Sequence, residues 1–484
     1  MPYEKWWVEH LLKEGIVNNF STYEEKSFWL RDYGPYQASP ALSSGCDVDI
    51  AVVGGGYTGL STAREAMLDN PGSSVAVLEG AVIGFGASGR NGGFSMKLFG
   101  LEPEVTKARW GAEKTLEAYQ YMTQSVERVR KLIEDEKLDS DYRHTGFLRV
   151  CYTPKQQARM EKTYAQFREM GLDLDMSYIS RDQLREEFHT EQFLSGIFES
   201  ETGILNPAKH VRELKRLAEQ AGAKIYEQTP VSSILRQGNR VVVHTPKGTV
   251  RADKVVLATN AFSGSIDGLP KLRSRQAPVW TFITITEPLS RQQWSDIGWA
   301  RQQGLEDNRQ LLHYFRPTVD GRIMMGGGGV TIPYGKGFDH DFSPKDWEHC
   351  EAHLKWIFPQ LKDVATAYRW GGPVSVNLDM TPEVGFIGDE RIIYATGYMG
   401  HGVAMSHQNG RLIADLLGEK KTELTDFWIV NRKALPWPGR FSALLGMSAI
   451  RRGLSLWDYL EESPLRKHPE SQTEVNPQPL REGA

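Results

Sequence analysis

Cysteine is scarce in this chain. Cys46, Cys151 and Cys350 stand far apart among 484 residues, and no C-x-x-C pair occurs. That excludes a disulfide framework and fits a reducing compartment. No run approaches the ~18 uninterrupted apolar residues of a membrane-crossing helix. The first residues, MPYEKWWVEHLLKEG, carry charge on both sides of their apolar positions, a pattern of neither a signal peptide nor an anchor. Neither sign of charge dominates: 57 basic residues face 61 acidic ones, for a net charge of −4. No strong attraction to nucleic acid or an anionic membrane is expected. There is no internal repeat, and the 47 glycines have no period. These absences leave a soluble, cytoplasmic globular protein without a membrane span. A peripheral membrane contact through the Trp-bearing C-terminal region stays open.

The length exceeds the roughly 250–300 residues at which single cores stop growing, so two subdomains are expected. Residues 1–46 are aromatic and irregular and read as an arm lying on the body. An apolar run at 48–53, a glycine turn, a helix over 57–68 and a second run at 75–78 make a βαβ unit. Apolar spacing predicts one long helix over 107–137 and others over 155–170, 206–221, 346–357 and 403–417. Strands are expected at 145–152, 224–226, 240–258, 279–287, 311–325 and 391–396. After about residue 465 the charged, Pro-rich tail reads as disordered. A βαβ start, a strand-rich middle and a final strand, glycine loop and helix suggest that the first and last segments build one nucleotide-binding domain around an inserted one.

The glycines cluster where chemistry is expected. Gly54, Gly56 and Gly59 form G-x-G-x-x-G after a strand and at the mouth of a helix. The first permits a tight turn, the second lets backbone approach a pyrophosphate, and the third lets helix and strand pack closely. The helix start offers free N–H groups and a positive dipole end. Glu79 ends the next strand, twenty residues after Gly59, where a carboxylate accepts hydrogen bonds from ribose hydroxyls. This fingerprint does not separate NAD from FAD.

Three further segments make that choice. Residues 84–93, GFGASGRNGG, let backbone pass close to a large planar ligand. Residues 255–262, VVLATNAF, form an apolar strand ending in small residues. Residues 396–403, TGYMGHGV, open the last helix and present its N-terminus where negative charge gathers on a reduced flavin. With YFRPTVDGRIMMGGG and GYMGHGVAMSHQNGRLIADLL, these segments resemble the FAD-dependent D-amino-acid oxidase superfamily over about residues 27 to 445. The resemblance is closest to its γ-glutamylputrescine oxidase-like branch.

That resemblance implies an α/β fold: a Rossmann-like FAD-binding domain interleaved with an antiparallel-sheet α+β substrate domain. The expected division is an arm (1–46), FAD-domain parts at 47–140, 196–270 and 369–425, substrate-domain parts at 141–195 and 271–368, and a C-terminal extension (426–484). FAD would be held by Gly54, Gly56, Tyr57, Thr58, Gly59, Glu79, Gly86, Ala87, Ser88, Arg90, Asn91, Gly92 and Gly93. Val231, Thr259, Asn260, Gly397, Gly400, His401, Gly402 and Val403 would complete the FAD site. The implied reaction oxidises the C–N bond of a small primary or secondary amine. Hydride passes to flavin N5, the imine hydrolyses to a carbonyl product, and oxygen or another acceptor takes the electrons. An amino-acid or N-methyl-amino-acid dehydrogenase and a flavin-binding protein without turnover are the alternatives.

Sarcosine-oxidase-like relatives tether flavin through a Cys near the C-terminal glycine loop. Residues 371–410 contain no Cys, so non-covalent FAD is expected. Amino-acid oxidases hold the substrate carboxylate with an Arg in a W-x-G-L-R-P-like segment. Here Trp370-Gly371-Gly372-Pro373-Val374-Ser375 lacks it, and Val or Ser cannot replace a bidentate Arg. An ordinary α-amino acid is thereby disfavoured, and an amine with a distal carboxylate or phosphonate stays open. Tyr314 and Arg316 alternate in phase and are expected to face the site, with core and structural roles as the rivals. His401 either contacts substrate or flavin or merely caps a helix. Arg322 and Arg369 are further cations. His349, Cys350 and His353 share a helix but show no third ligand at a suitable spacing, so no metal is expected.

Overall fold

The computed structural model describes residues 22–100, 102–333 and 340–466. The expected tail disorder and the first part of the arm lie outside them. Two eight-stranded sheets carry the chain. Cys46–Val53 lies at the centre of the first, between Val75–Leu78 and Gly248–Leu257, parallel to both. Lys224–Tyr226 and Ile392–Thr396 extend this parallel core. Such strands need both faces covered, and here both are. The helices Tyr57–Asp69, Ala112–Asp135, Pro207–Gln220 and Gly402–Leu417 bury one face in the largest apolar cluster. The hairpin Arg240–Thr245 and Gly248–Leu257, with its neighbours, covers the other.

The second sheet contains Phe147–Cys151, Met176–Ser180, Ser195–Glu199, Ala277–Thr286, Gly304–Asp307, His313–Pro317, Ile323–Gly327 and Thr366–Val376. It is antiparallel except where Gly304–Asp307 runs parallel to Phe147–Cys151. The chain passes from the first sheet to the second and back twice, so the two are interleaved. The expected switches do not all fall between elements. That at 195/196 cuts Ser195–Glu199, and that at 368/369 cuts Thr366–Val376, which pairs with Ala277–Thr286 along its length.

The long helix expected over 107–137 is two, Pro103–Trp110 and Ala112–Asp135. Gly111 separates them at φ +87°, a conformation open to glycine and costly to other residues. The arm is not wholly irregular, since Phe28–Tyr33 forms a helix whose Phe28, Trp29 and Leu30 are buried. The C-terminal extension contains a 22-residue helix, Arg440–Glu461. No helix among the described residues is long and apolar enough to cross a membrane.

Candidate active site

One cavity of about 920 Å³ runs between the two sheets, near the upper end of the roughly 300–1,000 Å³ typical of ligand pockets. One end is built by the fingerprint. Gly54 turns at φ +107°, and a Cβ there would stand 2.7 Å from the Ala258 carbonyl oxygen. A Cβ on Gly56 would stand 2.8 Å from Ser88 Oγ, and one on Gly59 would stand 2.0 Å from the Gly54 carbonyl oxygen. Gly54 and Gly59 are therefore required by close approach to backbone, while a Cβ on Gly56 would meet the Ser88 side chain. The Glu79 carboxylate accepts from the Gly55 and Ala81 amides at 2.7 and 2.9 Å. Burial pushes its pKa up, and these amides oppose the shift.

The glycine loop is held from behind by its carbonyls. Ser27 Oγ donates to Gly89, Trp370 Nε1 to Arg90, Trp29 Nε1 to Asn91 and Arg316 Nε to Gly92, at 2.5–3.0 Å. Asn91 braces it from within, accepting from the Gly93 amide and donating to the carbonyls of Ala87 and Ser88. These outward bonds come from the arm and from the second sheet, so both help shape the first domain's ligand loop. Ser27, Trp29 and Trp370 carry no motif that marks them for this role.

Most expected cofactor residues come together. Gly54, Gly56, Tyr57, Thr58, Glu79, Gly86, Ala87, Ser88, Arg90, Asn91, Gly92, Gly93, Val231, Thr259, Asn260, Gly400, His401, Gly402 and Val403 all line the cavity. Gly59 and Gly397 do not. Gly59 packs the fingerprint helix, and Gly397, at φ +79°, turns against the Asn377 amide. The pocket is long, glycine-walled and flanked by two helix N-termini with the Glu79 carboxylate in its wall, so these residues suit FAD. No cysteine is among the described residues that line the cavity.

Tyr314 lines the cavity and lies against Gly92 and Gly326, where a Cβ would stand 3.0 and 2.6 Å from its ring. Burial raises its pKa and keeps the phenol protonated. Arg316 corrects the expectation for it. It shares Tyr314's face of the strand, but the glycine loop lies between it and the cavity. A Cβ on Gly93 would stand 2.7 Å from its Nη2. Its guanidinium donates to the carbonyls of Gly92, Leu205 and Pro317 and stacks over Trp29. It is a scaffold cation. Arg90 lines the cavity yet pairs with Asp341 at 2.9 Å and donates to Phe85 and Gly371 carbonyls. Arg322 pairs with Asp320 and Glu287, and Arg369 with Glu351, outside the cavity.

His401 sits at the start of Gly402–Leu417 without a side-chain capping bond. Burial, then the charge of Arg149, pushes its pKa down to about 4, so it is a neutral imidazole at pH 7. The other end of the cavity was not legible as a site. Phe147, Glu306, Gln310 and Leu311 come from the second sheet and its loops, and Met447, Ile450, Arg451 and Leu454 from the C-terminal helix. Helical spacing of those last four was the available signal. Arg451 Nη1 donates to the Val330 carbonyl at 3.2 Å, and its Nε has no partner among the described residues.

The ligand count at the histidine helix also needs correction. Asp307 and His313 join His353 in a buried group, with Asp307 Oδ2 at 2.8 Å from His313 Nδ1 and 3.2 Å from His353 Nε2. Cys350 and His353 are buried. Both imidazoles lie within hydrogen-bonding distance of the Asp307 carboxylate.

Residues 49–416 match the DAO family, described as FAD dependent oxidoreductase. The γ-glutamylputrescine oxidoreductase of Escherichia coli (strain K12) is 32% identical over 419 residues, covering 86% of this chain and 94% of the relative. The glycine oxidase of Pseudomonas aeruginosa is 26% identical, covering 77% and 95%. Two solved structures share the fold, each with a TM-score of 0.67. L-proline dehydrogenase from P. horikoshii, 24% identical, covers 81% of this chain and 97% of its own. Glycine oxidase from Geobacillus kaustophilus, 20% identical, covers 80% and 100%. The chain belongs to the DAO family of FAD-dependent oxidoreductases. It is an enzyme, an FAD-dependent oxidoreductase.

Proposed function

We propose that the substrate is a small primary or secondary amine without an α-carboxylate, bound beyond the FAD residues against Tyr314, His401 and the C-terminal helix. One observation carries this. Gly372, Pro373 and Val374 line the wall where amino-acid oxidases of this superfamily carry a carboxylate-binding Arg. The nearby cations are committed elsewhere, Arg316 to carbonyls and Arg90 to Asp341. Arg451 supports a distal carboxylate or phosphonate, since its Nε has no acceptor among the described residues and it lines the cavity. The E. coli relative is named for γ-glutamylputrescine, which enters here as a test compound.

FAD, when bound non-covalently, supplies the acceptor for the hydride that leaves the carbon next to nitrogen. The protein's part is to seat the amine and exclude water. Apolar Phe147, Val279, Ile283, Met447 and Leu454 provide the dry wall. Oxygen is the proposed electron acceptor and the cytoplasm the proposed location. Oxygen consumption with γ-glutamylputrescine, N-acetylputrescine, glycine and L-proline tests the assignment. Turnover with the first two and little with the amino acids is expected. Preference for glycine or proline would overturn it, and flavin reduction without oxygen uptake would replace oxygen with another acceptor.

A further inference from the structure

Glu306 is a buried carboxyl that the FAD site does not use. It lies on Gly304–Asp307, where it stands opposite Tyr314 on one neighbouring strand and beside Arg149 on the other. Residues in such register project to the same face of a sheet, and both Tyr314 and Glu306 line the cavity. Asp307, the next residue, faces the opposite side and is matched there by His313 and His353.

The charge around Glu306 does not balance. Arg149 Nε lies 3.2 Å from it, and Arg149 Nη1 is also held by Glu102 at 2.8 Å. One guanidinium thus serves two carboxylates, with Glu199 close on Ser195–Glu199 and Asp307 behind. An incompletely paired carboxylate in a cavity wall is costly, so it either holds a proton or gains a cation. A substrate amine arrives at neutral pH as an ammonium.

We propose that Glu306 is the anionic subsite of the cavity, binding the substrate ammonium and accepting the proton that must leave before hydride can. The proposal rests on the amine-oxidising function proposed above and names the charge of the substrate's reacting end. The N–H bond of the ammonium breaks, its proton passes to a Glu306 carboxylate oxygen, and the electron pair returns to nitrogen. The C–H bond then breaks with its hydrogen and both electrons leaving together as hydride, which FAD, when bound, would accept, while the nitrogen pair closes the C=N bond of an iminium.

The rival groups on this wall are poorly suited. His401 is neutral with a pKa near 4, too weak a base for an ammonium, and Tyr314 is kept protonated. Burial pushes Glu306 up to about 8, with Arg149 opposing and Glu102, Asp307 and Glu199 adding. A base poised near the working pH transfers protons best. The same carboxylate repels an α-carboxylate, in accord with the missing Arg on Thr366–Val376.

The FAD-loaded full chain, its Glu306→Gln and its Glu306→Asp variants test this. Anaerobic flavin reduction by γ-glutamylputrescine is followed against pH. In parallel the flavin absorbance is titrated with tert-butylammonium, which has no hydrogen on its nitrogen-bearing carbon, and with neutral tert-butanol. The wild-type reduction rate should rise with pH through about 8. Glu306→Gln should slow it by about 10²–10⁴-fold and remove that inflection. The wild type should prefer tert-butylammonium to tert-butanol, and the Gln variant should not. Glu306→Asp should keep the cation preference with a slower reduction, which decides the matter if the Gln variant fails to hold FAD. Gln with wild-type rate, inflection and cation preference would overturn the proposal. Should no amine reduce the wild type, the amine function fails, while loss of tert-butylammonium preference in Glu306→Gln, kept in Glu306→Asp, still supports Glu306 as the cation subsite.

Discussion

Tyr314 and Arg316 stand two residues apart on one strand, and only Tyr314 reaches the cavity. Strand alternation told their shared face correctly. It could not tell that a loop some 220 residues upstream would lie between Arg316 and the ligand. The fingerprint was more legible, because its three glycines lie within six residues between a strand and a helix, although Gly54 and Gly56 meet Ala258 and Ser88 from distant segments. Arg316→Met should therefore act on the scaffold. It leaves the Gly92 and Leu205 carbonyls without their donor, at a cost of about 2–4 kcal/mol. FAD affinity and melting temperature should both fall, while KM for acidic and neutral amines should change alike. A selective rise for acidic amines would return Arg316 to the substrate site. Glu306 escaped notice because a lone Glu in a loop-flanked, four-residue strand has no spacing partner in sequence. Its meaning arises from Arg149, Glu102 and Tyr314, which only the sheet brings to it.

Among elements, those with strong apolar periodicity were readable, and those interrupted by glycine were not. Gly111 divides one amphipathic stretch into two helices. Trp370-Gly371-Gly372-Pro373 conceals the middle of the 11-residue strand Thr366–Val376. Gly446 and Gly453 blur the helix Arg440–Glu461, although Ala443, Met447, Ile450 and Leu454 keep helical spacing. That helix closes the cavity and is tied down at its far end. The Asp458 carboxylate accepts the Gln310 and Leu311 amides at 2.8 and 2.9 Å, and Arg159 pairs with Glu461 at 2.8 Å. Asp458→Ala removes both acceptors and should loosen the lid by about 1–3 kcal/mol. KM for the amine should rise several-fold with FAD content unchanged. An unaltered KM would show that the helix does not shape the substrate end.

At the scale of the molecule, the helices that cover the first sheet share buried polar links that were invisible in sequence. In one of them Ser140 Oγ is 2.9 Å from His210 Nδ1, His210 Nε2 is 2.9 Å from His407 Nε2, and His407 Nδ1 is 2.8 Å from the Val403 carbonyl. A hydroxyl, two neutral imidazoles and a carbonyl satisfy this line completely. Burial holds His407 at about 4 and His210 well below its ordinary value. A histidine held neutral in the fold contributes stability above about pH 6.5 and loses it as pH falls toward the folded value, because the unfolded chain binds the proton first. Between pH 7.5 and 5 the stability advantage of wild type over His407→Gln should therefore shrink by about 1–2 kcal/mol. Denaturant unfolding at the two pH values measures it, and a constant or growing advantage would show that His407 is not held neutral.

The central claim is that this cavity joins FAD to an amine. Anaerobic mixing of the FAD-loaded protein with a panel of amines, amino acids and aminophosphonates tests it most directly, with the flavin's visible absorbance as the readout. Bleaching by amines without an α-carboxylate is predicted, with the oxidised spectrum returning in air. A flavin that dithionite reduces and no amine does would contradict the claim.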